Sequence, residues 1–79
     1  MKTRKNGYGD KNIVGKKIEA LRKSLGIDQK DFVARIQVLG VNIDDSSYSK
    51  LEGQIRKIND RELYAIAKAL NVSIDSLFE

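Results

Sequence analysis

The chain has no cysteine, histidine, proline or tryptophan among its 79 residues. Without cysteine there is no disulfide framework and no thiolate nucleophile, and without histidine there is no imidazole base. Because zinc in proteins prefers sulfur and nitrogen ligands, the two absences also argue against a structural zinc site. No apolar run approaches the ~18 residues of a membrane span. No apolar h-region follows the basic start, so we expect a cytoplasmic protein without a signal peptide.

The positive charge of the chain is unevenly distributed. The formal net charge is +4, but residues 1–23 carry +6 and residues 24–79 carry −2. Hydrophobic residues make up 41% of the sequence, which favours a folded core over disorder. The length allows one domain at most. If this protein binds nucleic acid, individual side chains must provide the contacts, because the part beyond residue 23 is slightly acidic.

Residues 1–12 are polar, basic and without apolar periodicity, and they include Gly7 and Gly9. This composition predicts a flexible basic N-terminal arm, followed by a folded domain over residues 13–79. The arm is either a solvated tail or a segment that contacts phosphate or a minor groove through Arg4 or Lys5.

A local pattern that starts helices occurs four times in the chain. Each copy has an aliphatic residue, a capping residue, and an apolar residue four positions beyond the cap. The capping side chain can accept from the exposed N–H groups of the first turn, and the apolar pair forms a hydrophobic staple. The four caps are Asp28, Asp44, Asn59 and Ser73. Glu62 completes a capping box with Asn59.

Apolar residues recur at helical spacing behind these caps and also before the first of them. The pattern predicts a compact all-α bundle of five short helices, with Gly26, Gly40 and Asn71 as helix ends. Residues 38–43 are the only candidate for a short strand. The predicted apolar faces are Val14, Ile18, Leu21 and Leu25; Phe32, Ile36 and Leu39; Tyr48, Leu51 and Ile55; Leu63, Ile66, Ala67 and Leu70; and Ile74, Leu77 and Phe78.

Four segments together resemble the Cro/CI-type helix-turn-helix family, also called XRE-family regulators, of bacteria and their phages. They are residues 16–25 (KKIEALRKSL), 26–29 (GIDQ), 48–52 (YSKLE) and 65–73 (AIAKALNVS). The resemblance implies a lambda-repressor-like DNA-binding domain in which helices 2 and 3 form the helix-turn-helix. The recognition helix, at about residues 45–53, would then lie in the major groove.

The resemblance also implies DNA contacts for the recognition helix. Asp45 and Ser46 occupy the first-turn positions that meet bases, Ser47 and Ser49 lie near the DNA backbone, and Lys50 contacts bases or phosphates. From the residues alone, serine is common at helix starts, and Asp45 could simply support the helix dipole.

Three further positions are expected at phosphates. Gln29, at the start of helix 2, matches the family residue that holds a phosphate, and Arg56 and Lys57 match the basic loop after helix 3. No residue pattern calls for a cofactor, a metal ion, a small-molecule ligand or a membrane.

The sequence departs from the family pattern at three places. The stretch from Phe32 to Ile43 is about five residues longer than usual, which predicts an extra turn of helix 2. Gln54 stands where the family has glycine, with Gly53 one place earlier, so helix 3 is expected to end one residue sooner. Asp45, next to the capping Asp44, would repel phosphate unless it accepts a hydrogen bond from a cytosine amino group.

These observations predict a transcriptional regulator, a repressor that binds double-stranded DNA as a homodimer. Leu77 and Phe78 could either pack into the core or form the dimer contact. The alternative is an antitoxin-like or other protein-interaction module with weak DNA binding, which the acidic balance beyond residue 23 favours. An enzyme is the weakest interpretation, because no serine has a histidine or cysteine partner.

Overall fold

The computed structural model describes residues 7–79 and contains four α-helices followed by one 3-10 turn. The helices are α1 (Gly15–Ser24), α2 (Gln29–Val38), α3 (Asp45–Glu52) and α4 (Asp60–Leu70), and the 3-10 turn is Asp75–Phe78. The prediction of an all-α fold is confirmed, and residues 7–79 contain no strand, so residues 38–43 form none. The predicted fifth helix is corrected to a single 3-10 turn, closed by the Leu77 N–H donating to the Ile74 carbonyl (3.0 Å).

The predicted caps explain where the helices begin. The Asp28 carboxylate accepts from the Asp31 N–H (2.8 Å), and the Asp44 carboxylate accepts from the Ser47 N–H (2.7 Å). Asn59 and Glu62 form a complete capping box at the start of α4. Each such cap stabilises its helix by about 1 kcal/mol.

The apolar faces of the four helices meet in one core. Phe32 of α2 and Tyr48 of α3 lie at its centre, with ring centroids 5.6 Å apart. The buried apolar residues are Val14, Ile18, Ile27, Phe32, Val33, Ile36, Ile43, Tyr48, Leu51, Ala65, Ile66, Ala67, Leu70 and Leu77. The predicted core positions Leu25, Leu39 and Ile55 are instead exposed, because each lies just beyond the end of a helix.

The connection between α2 and α3 takes up two or three of the roughly five extra residues of this chain. α2 ends at Val38, before Gly40, which has a φ of +96°. Residues 39–44 therefore form a six-residue connection, longer than the 3–4-residue turn of an ordinary helix-turn-helix. α2 ends where Gly40 was predicted to stop it, but Leu39, predicted on the apolar face of α2, is 46% exposed. The extra turn of helix 2 stays a prediction.

The end of α3 also differs in detail from the prediction. α3 ends at Glu52, and Gly53 has an ordinary helical φ of −75°. The left-handed residue is Gln54, with a φ of +60°. Its N–H donates to the Leu51 carbonyl, and the Ile55 N–H donates to the Lys50 carbonyl, both at 3.0 Å. This pattern is a Schellman motif, in which glycine is the usual left-handed residue.

The predicted N-terminal arm lies only partly within the described residues. Lys2, Arg4 and Lys5 lie outside them. Residues 9–12 lie against the end of α3, where the Gly9 N–H donates to the Gly53 carbonyl at 2.8 Å. We predicted a flexible arm over residues 1–12 and did not foresee this hydrogen bond between Gly9 and Gly53.

Candidate nucleic-acid interface

The solvent side of α3 is a short polar face. Asp45, Ser46 and Lys50 are exposed and Ser49 is half-buried, and positions at this spacing share one side of a helix. The opposite side of α3 packs into the core through Tyr48 and Leu51, which are fully buried. Ser47 lies off the polar face and is half-buried. The structure therefore places four of the five predicted positions of α3 on one surface.

Gln29 is the first residue of α2 and is half-buried against α3. Its side-chain amide donates to Oε1 of Glu52 at 2.9 Å. The bond fixes the orientation of the amide, which retains a second N–H for an acceptor outside the protein. The N-terminus of α2 also favours an anion here, because its first N–H groups carry partial positive charge.

Arg56 does not project freely from the loop after α3. Its Nε donates to the Ser47 carbonyl (3.1 Å) and its Nη1 to the Lys57 carbonyl (2.6 Å). The two terminal nitrogens also bind both carboxylate oxygens of Glu62, at 3.0 and 2.7 Å. This guanidinium therefore ties the loop to α3 and α4, a role that the sequence comparison did not indicate.

On α3 and the loop that follows it, the cations that face outward are Lys50 and Lys57. Both side chains are exposed, and within residues 7–79 neither takes part in an ion pair. Lys50 lies on the last turns of α3 and Lys57 in the loop that follows. The surface thus combines a polar helix face, a helix N-terminus at Gln29 and two available lysines.

These elements match a known family. A comparison with protein-family models matches residues 18–77 to a family described as helix-turn-helix. The chain belongs to this helix-turn-helix family. The resemblance to Cro/CI-type, or XRE-family, DNA-binding regulators is thereby confirmed. Searches of curated proteins and of solved structures give no significant match.

The two helices of the helix-turn-helix are joined to α1 by a buried polar cluster, which we call the Glu52 cluster. It consists of Arg22, Gln29, Tyr48 and Glu52. Nε and Nη2 of Arg22 donate to the two oxygens of Glu52 at 2.6 and 3.1 Å. The Tyr48 hydroxyl donates to the same carboxylate at 2.5 Å. Glu52 is fully buried, so the cluster fixes the angle between the helices.

Sequence reasoning missed the Glu52 cluster. The available signal was the i, i+4 spacing of Tyr48 and Glu52, which puts a carboxylate on the buried side of the recognition helix. Arg22, on the core side of α1, is the matching cation. Burial raises the pKa of the Tyr48 hydroxyl, and the adjacent Glu52 carboxylate raises it further, so the hydroxyl stays protonated and acts as a donor.

Two further findings are absences, and both apply to the described residues 7–79. No group of histidine, cysteine, aspartate or glutamate side chains in residues 7–79 is arranged to hold a metal ion. Among the same residues, no helix has the length and hydrophobicity needed to cross a membrane.

The first prediction concerns the Tyr48 hydroxyl. Tyr48→Phe should lower the free energy of unfolding by roughly 1.5–3 kcal/mol, because the buried Glu52 carboxylate loses a charge-assisted hydrogen bond. Urea unfolding followed by circular dichroism measures this change. The matched control is Tyr64→Phe, which removes a hydroxyl from an exposed ring and should leave the stability unchanged. Equal effects of the two changes would contradict the assigned role of Tyr48.

The second prediction concerns pH and Glu62. Burial by itself raises the pKa of Glu62, but hydrogen bonds from Arg56 and from the Asn59 N–H outweigh it and lower that pKa. A lowered native pKa gives stability that is complete above the unfolded pKa and lost as pH falls through the native value. Wild type should therefore exceed Glu62→Gln in unfolding free energy at pH 6, and the difference should shrink towards pH 3. A difference independent of pH would show that the charge of Glu62 contributes nothing.

Proposed function

We propose that this protein is a sequence-specific regulator of transcription that binds double-stranded DNA with α3 in the major groove. The observation that carries this proposal is the polar face of α3, held by the buried Glu52 cluster at a fixed angle to α1 and α2. A rigid helix with short, exposed polar side chains is suited to approach base edges closely. Family membership supports DNA binding, and the geometry supports α3 as the reader.

The contacts divide into those that position the protein and those that specify sequence. Gln29, Lys50 and Lys57 would bind phosphates and set the register, while Asp45 and Ser46 would face base edges. Asp45 fits a cytosine amino group, since a carboxylate can only accept hydrogen bonds. Ser47 and Ser49 would lie close to the DNA backbone. Arg56 would act indirectly, by shaping the loop that carries Lys57.

We further propose that the regulator works as a homodimer, with two recognition helices addressing half-sites about 34–36 Å apart. Of the two alternatives that the sequence left open for Leu77, core packing agrees with its exposure of only 1% within its own chain. Phe78 is 52% exposed, and the neighbouring Ile13, which lines the same surface grooves, is 77% exposed. A second copy would cover these two side chains.

We infer repression, because an operator occupied by a dimer is closed to other proteins without any further activity. Such a regulator would act in the cytoplasm of a bacterium, on chromosomal or phage DNA.

One observation favours a second function, an antitoxin-like module that binds another protein and only weakly binds DNA. The chain beyond residue 23 carries a net charge of −2, which does not attract phosphate. The Asp44 carboxylate is engaged as a helix cap, whereas Asp45 is exposed and forms no ion pair among residues 7–79.

Lys50→Ala tests the DNA contact. It should weaken binding to the selected operator by roughly 1–3 kcal/mol and reduce the dependence of log K on log salt by about one. Operators are first selected from a random duplex pool at about 150 mM salt, and affinities are then measured by fluorescence anisotropy over a salt series. Lys68→Ala, an exposed lysine on α4, is the control and should bind like wild type.

The same titration separates the two functions. A DNA-binding regulator loses affinity linearly with log salt, whereas an interaction module gives a flat dependence and no enriched sequence. Wild-type affinity for Lys50→Ala would contradict the placement of Lys50 at the DNA.

Phe78→Ser tests the dimer contact. Removing the exposed ring should shift sedimentation from dimer to monomer and weaken operator binding, because each half-site is then bound separately. Tyr64→Ser removes a ring from the separate groove at α4 and serves as the control. If Tyr64→Ser dissociates the dimer and Phe78→Ser does not, the dimer forms through α4 and the assignment of Phe78 is wrong.

A further inference from the structure

The segment of residues 9–12, which we call the strap, crosses the C-terminal end of the recognition helix. Its backbone bonds directly to the loop after α3. The Gly9 N–H donates to the Gly53 carbonyl and the Lys11 N–H donates to the Gln54 carbonyl, both at 2.8 Å. These bonds supply donors to carbonyl groups that α3 and its loop leave without helical partners.

Asn12, the last residue of the strap, is buried. Its side-chain amide bonds to α1 with one end and to α3 and the loop after it with the other. Its Oδ1 accepts from the N–H groups of Val14 (3.1 Å) and Gly15 (2.8 Å) at the start of α1. Its Nδ2 donates to the carbonyls of Leu51 (3.0 Å) and Arg56 (2.9 Å). One amide therefore connects α1, the last turn of α3 and the loop beyond it.

Gln54 completes the connection from the opposite side. Its Oε1 accepts from the Lys16 N–H (2.9 Å), and its Nε2 donates to the Gly9 carbonyl (3.1 Å). Gln54 makes these bonds from a left-handed backbone conformation that glycine would adopt with less strain. What glutamine adds at this position is the pair of amide bonds.

The strap and the start of α1 each pack closely against the backbone of α3 or its loop at a glycine. A Cβ atom on Gly9 would lie 2.4 Å from the Gln54 carbonyl oxygen. A Cβ atom on Gly15 would lie 2.5 Å from the Leu51 carbonyl oxygen. Both distances are shorter than van der Waals contact, so a side chain at either glycine would require a shift of the backbone of α3 or its loop.

We propose that Asn12 and Gln54 are positioning residues for DNA binding. They hold the loop after α3 in the position in which Lys57, in this loop, and Lys50, on α3, bind adjacent phosphates. The inference rests on the proposed function and adds residues that themselves touch no DNA. A loop held in its binding geometry loses less conformational entropy on association than a free one. The strap, including Asn12, also donates hydrogen bonds to the carbonyl oxygens of Leu51, Gly53 and Gln54 at the negative end of α3.

The test is Gln54→Gly in the full chain. Glycine removes both amide bonds but adopts the left-handed turn with less strain, and the two effects oppose each other. The urea concentration at the midpoint of unfolding should therefore equal that of wild type. Operator affinity should fall by roughly 5- to 10-fold, and the salt dependence should decrease by about one, as for one lost phosphate contact. Amide hydrogen exchange at residues 54–57 should become faster, while exchange in α4 stays unchanged.

Asn71→Gly is the matched control, because Asn71 is the other left-handed non-glycine residue among residues 7–79 and ends α4. It should bind the operator like wild type. Wild-type affinity and salt dependence for Gln54→Gly would overturn the inference while leaving the proposed function in place. A loss of affinity fully explained by the unfolded fraction would also overturn it. A wild-type chain that binds no duplex would contradict the proposed function itself.

Discussion

The buried carboxylate of Glu52 is the constraint on which the arrangement of the helices depends. A charge without solvent must be fully hydrogen-bonded, and here its partners come from three different helices. Arg22 from α1 supplies the opposite charge, Gln29 from α2 supplies an amide, and Tyr48 supplies a hydroxyl one turn away on α3. Because all of these bonds must form together, α1, α2 and α3 have one relative orientation.

This arrangement links fold to function through Gln29. The residue is held by Glu52 from inside and lies half-buried at the N-terminus of α2, on the surface that we propose binds phosphate. Arg56 shows the same principle in the next loop, since its guanidinium is used to join α3 to α4. Charged and amide groups thus set the geometry, and on α3 and the loop after it the exposed cations are Lys50 and Lys57. This division explains how a domain with little net charge can still belong to a DNA-binding family.

Much of the fold could be predicted from the sequence because its helix starts depend on local chemistry. Asp28, Asp44 and Asn59 each act within three residues, so the printed order of residues contains the whole interaction. Most core positions could also be predicted locally, because apolar residues recur at helical spacing. The predicted helix ends Gly26, Gly40 and Asn71 are left-handed residues in the structure, but Leu25 and Leu39, next to two of these ends, were wrongly predicted in the core.

Long-range polar contacts were not predictable in the same way. Arg22 and Glu52 are separated by 30 residues, and Asn12 and Arg56 by 44, with no local rule to pair them. The predicted contact of Arg56 with phosphate came from matching a basic position, which cannot show that Glu62 already binds the guanidinium. The exposed face of α3 was predictable because it follows from one helix alone.

The six-residue connection between α2 and α3 has a consequence for how such domains vary. The angle between the two helices is determined by side chains on their inner surfaces, so the connection only has to span the gap. Lengthening such a segment costs little, since each doubling of loop length adds only about 0.6 kcal/mol. Insertions at this place therefore leave the angle between the helices intact. In this chain a longer connection therefore coexists with helices that are held by the inward-facing polar residues Arg22, Gln29 and Glu52.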